Sequence, residues 1–159
     1  MSTLDASKFD QRYYQNTGRM NFARRISSVA RRRVYQLFIQ TMRPSPSDRI
    51  LDIGTSDDVG IDSNILEQLY PHRENITCVS LTDGKSILAA YPGVRHVRAA
   101  SGEPIALERN AFDIVYSNAV LEHVGSRTRQ KQFAEEMCRL APRRFLAVPN
   151  RLFPVEHHT

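Results

Sequence analysis

Hydrophobic positions along the chain follow two alternating periods. From Met20 to Met42, Phe22, Ile26, Val29, Ala30, Val34, Leu37 and Phe38 recur at steps of three and four, the spacing of one helical face. Arg24, Arg25, Arg31, Arg32 and Arg33 fill most of the places between them. The apolar stripe is therefore expected to face a sheet and the arginines to point outward. Pro44 and Pro46 stop the pattern. Short apolar runs then predict a buried strand at Arg49–Gly54 and further strands at Ile76–Leu81, Val94–Ala99, Phe112–Ser117 and Arg144–Val148. Between them lie helical stretches at Asn64–Tyr70, Lys85–Tyr91 and Val120–Leu140, the last expected to break near Gly125-Ser126. Pro71 and Pro92-Gly93 punctuate the first two. Asn64 with Glu67 three residues on predicts a capping box.

Strands alternating with helices predict an α/β fold, a doubly wound parallel sheet of about five strands with an N-terminal helix. Residues 1–18 are polar apart from a few large side chains and are expected to form a flexible arm. Residues 19–43 form a basic amphipathic helix and residues 44–159 the α/β domain. Such sheets bind ligands beyond the carboxyl ends of their strands, where the strand order reverses. The first and fourth strands should flank that point. Segments 54–60, 81–84, 99–103, 116–123 and 149–158 are thus the places to seek a site.

Charge and cysteine content narrow the setting. Of 159 residues carrying a net charge of +5, residues 1–43 hold nine Lys and Arg against two Asp and Glu. The basic excess therefore belongs to the N-terminal helix and its surroundings. That asymmetry fits a solvated helix face, or contact with nucleic acid, acidic glycan, lipid or a membrane surface. No aromatic platform interleaves the arginines to stack on bases, which argues against nucleic acid. Cys78 and Cys138 are the only cysteines and form no C-x-x-C pair, which points to a reducing compartment without a disulfide framework or zinc site. The N-terminus lacks a basic-then-apolar signal, and no apolar run is long enough for a transmembrane segment. A cytoplasmic location is expected.

Candidate chemistry begins at Ile50-Leu51-Asp52-Ile53-Gly54. A buried strand here carries an acid two residues before a glycine at the mouth of the sheet. The glycine lets backbone come close to a ligand. Asp52 can accept hydrogen bonds from a cationic amino group, or it can order the following loop. About sixty residues downstream stands Phe112-Asp113-Ile114-Val115-Tyr116-Ser117-Asn118-Ala119-Val120-Leu121-Glu122-His123-Val124. The two segments together, in this order and at this separation, resemble the class I S-adenosylmethionine-dependent methyltransferases of the broad type 11 group. The resemblance covers roughly residues 48–158, and Val148-Pro149-Asn150-Arg151-Leu152-Phe153-Pro154 also looks like the end of the fifth strand in a subgroup.

The resemblance implies a Rossmann-like fold and S-adenosyl-L-methionine as cofactor. It implies that Asp52 and Gly54, with Thr55, Ser56 and Asp58 in the loop, lie against the methionine part. Asp83 is the nearest match to the acid that binds the ribose hydroxyls, a contact that would be bidentate and charge-assisted. Ser101 or Gly102 falls where the family binds adenine. Asn118 falls near the transferred methyl group, with Glu122 and His123 on the substrate side.

The sequence also departs from the family. The usual G-x-G-x-G loop reads Gly54-Thr55-Ser56-Asp57-Asp58, with two glycines replaced and two acids added. Those side chains either obstruct the cofactor or offer Asp57 or Asp58 to its ammonium group. Two carboxylates here would repel a pyrophosphate, which argues against a nicotinamide dinucleotide. Ala100 and Ser101 stand where an acid commonly meets the adenine amino group, and the ribose acid usually lies nearer position 80 than Asp83. The family sheet usually adds two strands after the fifth, whereas this sequence stops at Thr159. The fifth strand would then be an exposed apolar edge. Truncation of a longer protein is expected, the alternatives being pairing of that edge in a homo-oligomer or strands supplied by a partner.

Methyl transfer needs alignment of acceptor and methyl group more than a reactive side chain. A general base assists when the acceptor is a hydroxyl or protonated amine. His123 is the leading candidate, although a lone histidine at a helix start commonly caps or packs. His157 and His158 form an exposed tail, or reach the same mouth; too few ligands accompany them to hold a metal. Tyr13 and Tyr14 pack loosely on the first helix, or fold over the cofactor as a lid. The expected function is S-adenosylmethionine-dependent methyl transfer to a small-molecule, lipid or glycan acceptor. The alternative is a non-catalytic relative that keeps the fold as a binding or assembly module.

Overall fold

The computed structural model describes residues 17–60 and 63–149, with side chains from Ser28 onward. The expected arm, with Tyr13 and Tyr14, and the tail histidines His157 and His158 lie outside the described residues. Helix α1 (Thr17–Met42) leads into strand β1 (Ile50–Ile53). Then follow α2 (Ile65–Leu69), a 3₁₀ turn at Arg73–Asn75, β2 (Ile76–Ser80), α3 (Lys85–Ala90) and β3 (Arg95–Arg98). After a long loop come β4 (Ile114–Asn118), a 3₁₀ turn at Leu121–His123, α4 (Arg127–Leu140) and β5 (Arg143–Ala147). The strands form one sheet in the order β3-β2-β1-β4-β5, and every neighbouring pair is parallel. Chain order reverses between β1 and β4, as the doubly wound reading requires. Among the described residues no helix is long and apolar enough to cross a membrane.

Alternation along the strands divides the core into two layers. Ile50, Ile76, Cys78, Ile114 and Tyr116 face α1, α2 and α3, where they meet Phe38, Leu66, Tyr70, Ile87 and Tyr91. Leu51, Ile53, Val79 and Val115 face the other way, onto Met137 and Leu140 of α4 and onto Ile105 and Phe112. The central strands β1 and β2 are buried at every position. The loop before β4 is held by an ion pair: Arg139 donates to Glu136 Oε1 at 2.6 Å and to the carbonyls of Ile105 and Leu107, while Glu136 accepts the Ile105 N–H. Gly125 turns the chain at φ +97° before α4, and Ser126 caps that helix, its hydroxyl accepting the Arg129 N–H. The break expected near these two residues is therefore present.

The inward face of α1 differs from the expected stripe. Phe38 is fully buried, with Tyr35, Ile39 and Met42 packed beside it, but Val29 and Leu37 are about half exposed, at 51% and 50%. Helix geometry explains this: Val29 lies nine residues, about two and a half turns, from Phe38 and so on the opposite side. Arg31 lies seven residues away, about two turns, and shares the Phe38 face. It is half-buried, while Arg32 and Arg33 are exposed as expected. The helix ends where Arg43 takes a left-handed conformation (φ +44°) before Pro44. Arg143 of β5 then ties the junction by donating to Met42 O and to Asp48 at 2.8 Å.

A second correction concerns α2. Asn64 has φ +53° and no side-chain cap bond to the helix. Its amide reaches back to the loop instead, and Glu67 turns into the core, so the capping box does not form. The helix is only five residues long.

An aromatic cluster clamps α1 to the sheet. Phe38 meets Tyr116 and Phe145 edge-on at 5.1 and 5.4 Å, and Tyr116 stacks on Phe145 at 5.5 Å. Such pairs add about 0.5–1.5 kcal/mol each beyond area burial. Phe38→Ala should therefore cost about 3–5 kcal/mol, read as a lowered urea midpoint with an unchanged slope. A loss below about 1 kcal/mol would show that α1 is not part of the core.

Candidate functional site

Parallel register places three side chains in one row on the α1/α2 face. Asp52 of β1 pairs with Cys78 of β2 on one side and with Tyr116 of β4 on the other. A carboxyl group thus sits in the middle of the sheet, one residue from the carboxyl end of its strand. It is almost fully buried. Glu67 of α2 lies within hydrogen-bond reach of it and is itself wholly buried. The Cys78 thiol donates to Glu67 Oε1 at 3.2 Å. Glu67 Oε2 and the Tyr116 hydroxyl have no hydrogen-bond partner among the described residues. Buried polar atoms are nearly always satisfied, so these two need an explanation.

Burial raises the Asp52 carboxyl well above the usual carboxylate range, and the facing Glu67 charge raises it further. Glu67 is also raised by burial, opposed by its hydrogen bonds and by the Arg73 guanidinium. Desolvation and the two acids likewise push the Cys78 thiol and Tyr116 phenol up. All four groups are therefore biased toward their protonated forms, and Cys78 is no thiolate nucleophile.

A cleft of about 160 Å³ opens above this row at the switch point between β1 and β4. It is lined by Asp52, Gly54, Thr55 and Ser56 after β1, by Tyr116, Asn118 and Ala119 after β4, by Ser63, Asn64 and Ile65 at the start of α2, and by Arg31 of α1. Of the residues singled out in the sequence, Asp52, Gly54, Thr55, Ser56 and Asn118 come together here. Arg31, Tyr116 and Asn64 also line the cleft and Glu67 lies against Asp52, although the motifs in the sequence do not mark these four as site residues. For Arg31 a signal was present in its seven-residue step to Phe38.

The loop over the cleft is held by its own polar side chains. Gly54 N and Thr55 N both donate to Val79 O, at 2.9 and 3.2 Å. Asn64 accepts the Ser56 N–H and donates to the Ser56 carbonyl. Asp58 accepts the Gly60 N–H at 3.0 Å, so its carboxylate shapes the turn, and it does not line the cleft. The Oδ1 atom of Asp57 is buried without a hydrogen-bond partner among the described residues. On the other side Ala119 takes φ +57°, unusual for a residue with a Cβ. The turn lays Val120 against Gly54, where a Cβ would come within 2.2 Å of the Val120 Cγ2 atom.

The remaining candidates stand apart from the cleft. Asp83 is exposed and tied to Lys85 at 2.7 Å; that ammonium and the Lys85 N–H hold its carboxyl below the usual range. At the end of β2 stands Ser80, whose hydroxyl bonds Thr82 at 2.9 Å and His96 Nε2 at 2.8 Å. Ser101 and Gly102 form an exposed turn after β3. His123, exposed in the 3₁₀ turn after β4, lies 4.0 Å from Glu122. Among the described residues no group of three or more His, Cys, Asp or Glu is placed to hold a metal.

A larger groove, about 650 Å³, lies between α1 and the end of α2, against Tyr35, Ile39, Pro44, Tyr70 and Pro71. It is at the amino ends of the strands and contains no buried acid. Volume alone favours it, but the convergent polar groups are at the smaller cleft.

The methyltransferase domain model matches residues 51–144. The chain belongs to this methyltransferase domain family. No curated protein matches it. Two solved structures show the same fold. One is the YcgJ protein of Bacillus subtilis, with 17% identity, 69% of this chain and 46% of that chain covered, and a TM-score of 0.53. The other is the N-methyltransferase NodS of Bradyrhizobium japonicum WM9, in complex with S-adenosyl-L-homocysteine. There the identity is 19%, coverage 70% and 57%, and the TM-score 0.53. The chain spans about half the length of each. The family match and the cleft coincide, since the match covers β4 and all of β1 but its first residue.

Gly54→Ala should destabilise the fold by about 2 kcal/mol or more, because both its φ of +100° and the Val120 contact oppose a Cβ. Adding Val120→Ala should recover part of that loss in a double-mutant cycle. Equal loss in both backgrounds would show that Val120 does not close over the glycine.

Proposed function

We propose that the chain is the cofactor-binding part of an S-adenosylmethionine-dependent methyltransferase. The observation that carries this reading is a buried carboxyl group and a tyrosine hydroxyl lining a cleft at the β1/β4 switch point of a methyltransferase-family sheet. The donor set suits the amino-acid end of the cofactor. Asp52 and the Asn118 amide can accept from an ammonium group, and the Arg31 guanidinium can pair with a carboxylate. At about 160 Å³ the cleft is below the ~300 Å³ or more typical of whole-ligand pockets. It would hold that end only, leaving the nucleoside to the ends of β2 and β3, near Asp83, Ser101 and Gly102.

The cofactor supplies an electrophilic methyl group on a sulfonium. The chain's own residues would bind, orient and exclude water. Gly54, with Val120 over it, fixes the loop on the β1 side, and Asn118 fixes the β4 side. His123 stands at the same end of the sheet with Glu122 beside it, and we assign it to taking the acceptor's proton. The acceptor is a small molecule, lipid or glycan. This rests on the absence of an aromatic platform for bases beside the arginines of α1.

Calorimetric titration with S-adenosylmethionine and S-adenosylhomocysteine tests the reading. Micromolar binding is expected. Asp52→Asn should weaken it tenfold or more, and Asp83→Ala should weaken it less, because Lys85 already engages that carboxylate. Absence of binding by both compounds would refute the proposal. Binding without methyl transfer to any acceptor in an extract would favour the non-catalytic module.

A further inference from the structure

Two carboxyl groups buried face to face, with no other donor between them, cannot both remain ionised at tolerable cost. Asp52 and Glu67 are in that position. Each is less than a tenth exposed, and Glu67 Oε2 has no other partner among the described residues. The groups around them come from every packed element. Cys78 of β2 donates to Glu67 Oε1, with His96 of β3 beyond it in the same row, bonded to Ser80. Tyr116 of β4 flanks Asp52 in the same row of the sheet. Arg31 of α1 lines the cleft above. Arg73 donates to the Glu67 and Gln68 carbonyls, so its charge acts on the carboxyl from a distance. No cation touches either carboxyl group among the described residues.

We propose that Asp52 and Glu67 share one proton, and that a ligand ammonium group entering the cleft against Asp52 displaces it. Glu67 is then a positioning residue, acting through Asp52. It does not line the cleft, yet it decides whether the floor presents a neutral or a charged surface. With the cleft empty the pair keeps one proton and a single buried charge. With a cation in place that proton leaves to solvent, and the added negative charge meets the positive charge of the ligand. Atoms and charge balance as one cation in, one proton out. The cleft would therefore favour ligands that present an ammonium group to Asp52 over ligands of the same shape that present a neutral or anionic group there. The inference rests on the cofactor reading above for the identity of the ammonium group, and on the geometry of the pair alone for the shared proton.

The sign of the pH effect follows from linkage. The folded chain holds a proton that the unfolded chain has already lost above the ordinary carboxylate range. Stability should thus fall as pH rises above about 4, by up to about tenfold in the folding constant per pH unit for one extra proton, until the folded pair loses it. Ligand affinity should rise with pH over the same window, at up to about tenfold per unit.

The decisive experiment titrates S-adenosylhomocysteine, which carries an ammonium group, into the wild-type chain in two buffers of different ionisation enthalpy. Close to one proton released per ligand is expected. In Glu67→Gln, an isosteric change that supplies a permanent N–H to Asp52, release should vanish and affinity should become flat with pH. Ligand-free denaturation from pH 5 to 8 should likewise show the wild-type slope removed by Glu67→Gln. Binding without proton release in the wild type would overturn the exchange while leaving the cofactor reading intact. Failure to bind would overturn the cofactor reading and the exchange together. Equal slopes with and without Glu67 would overturn the shared proton, whatever the ligand does.

Discussion

A carboxyl group held in the middle of a parallel sheet is the constraint around which this structure is arranged. Asp52 cannot be left in an apolar layer without partners, because isolated burial of a charged carboxylate is expensive. Its neighbours answer that need. Glu67 comes from a five-residue helix that buries its one acidic side chain, and Cys78 supplies a weak donor behind it. Tyr116 stands on the other side, stacked on Phe145 and clamped by Phe38. The same aromatic clamp seats α1, and seating α1 brings Arg31 to the rim of the cleft. Packing of the core and the electrostatics of the site are thus one arrangement.

The loop after β1 shows how this chain manages without a run of glycines. Gly54 remains where both the positive φ and the approach of Val120 exclude a side chain. Beyond it, Ser56, Asp58 and Asn64 spend their side-chain polar atoms on the loop backbone, and the Thr55 hydroxyl donates to the Val79 carbonyl of β2. These bonds hold the loop open over the cleft with side chains instead of with backbone freedom. The left-handed Asn64 and Ala119 sit on opposite walls of the same cleft. Non-glycine residues in such conformations concentrate at functional sites, where the surrounding structure over-determines them.

Much of this was legible in the sequence. The switch of hydrophobic period located all five strands, and the proline and glycine punctuation separated the elements. The Asp52–Gly54 and Asn118 segments indicated the β1/β4 mouth because strand order in such sheets reverses there. Other features depended on three-dimensional placement. Glu67 resembled half of a capping box, since sequence spacing cannot show that Asn64 turns back to Ser56. Val29 and Leu37 fit a stripe drawn through apolar residues, but the helical angle to Phe38 puts Val29 outside and Arg31 within. The Asp52–Cys78–Tyr116 row is a product of strand register, which no local pattern encodes.

The central claim is that ligand recognition occurs at the small polar cleft between β1 and β4 and not in the larger apolar groove at the opposite end of the sheet. Backbone amide shifts on addition of S-adenosylhomocysteine test it most directly. The account predicts the largest changes at 52–56, 64–65 and 116–119. Changes confined to 35–46 and 70–72, around the groove, would contradict it.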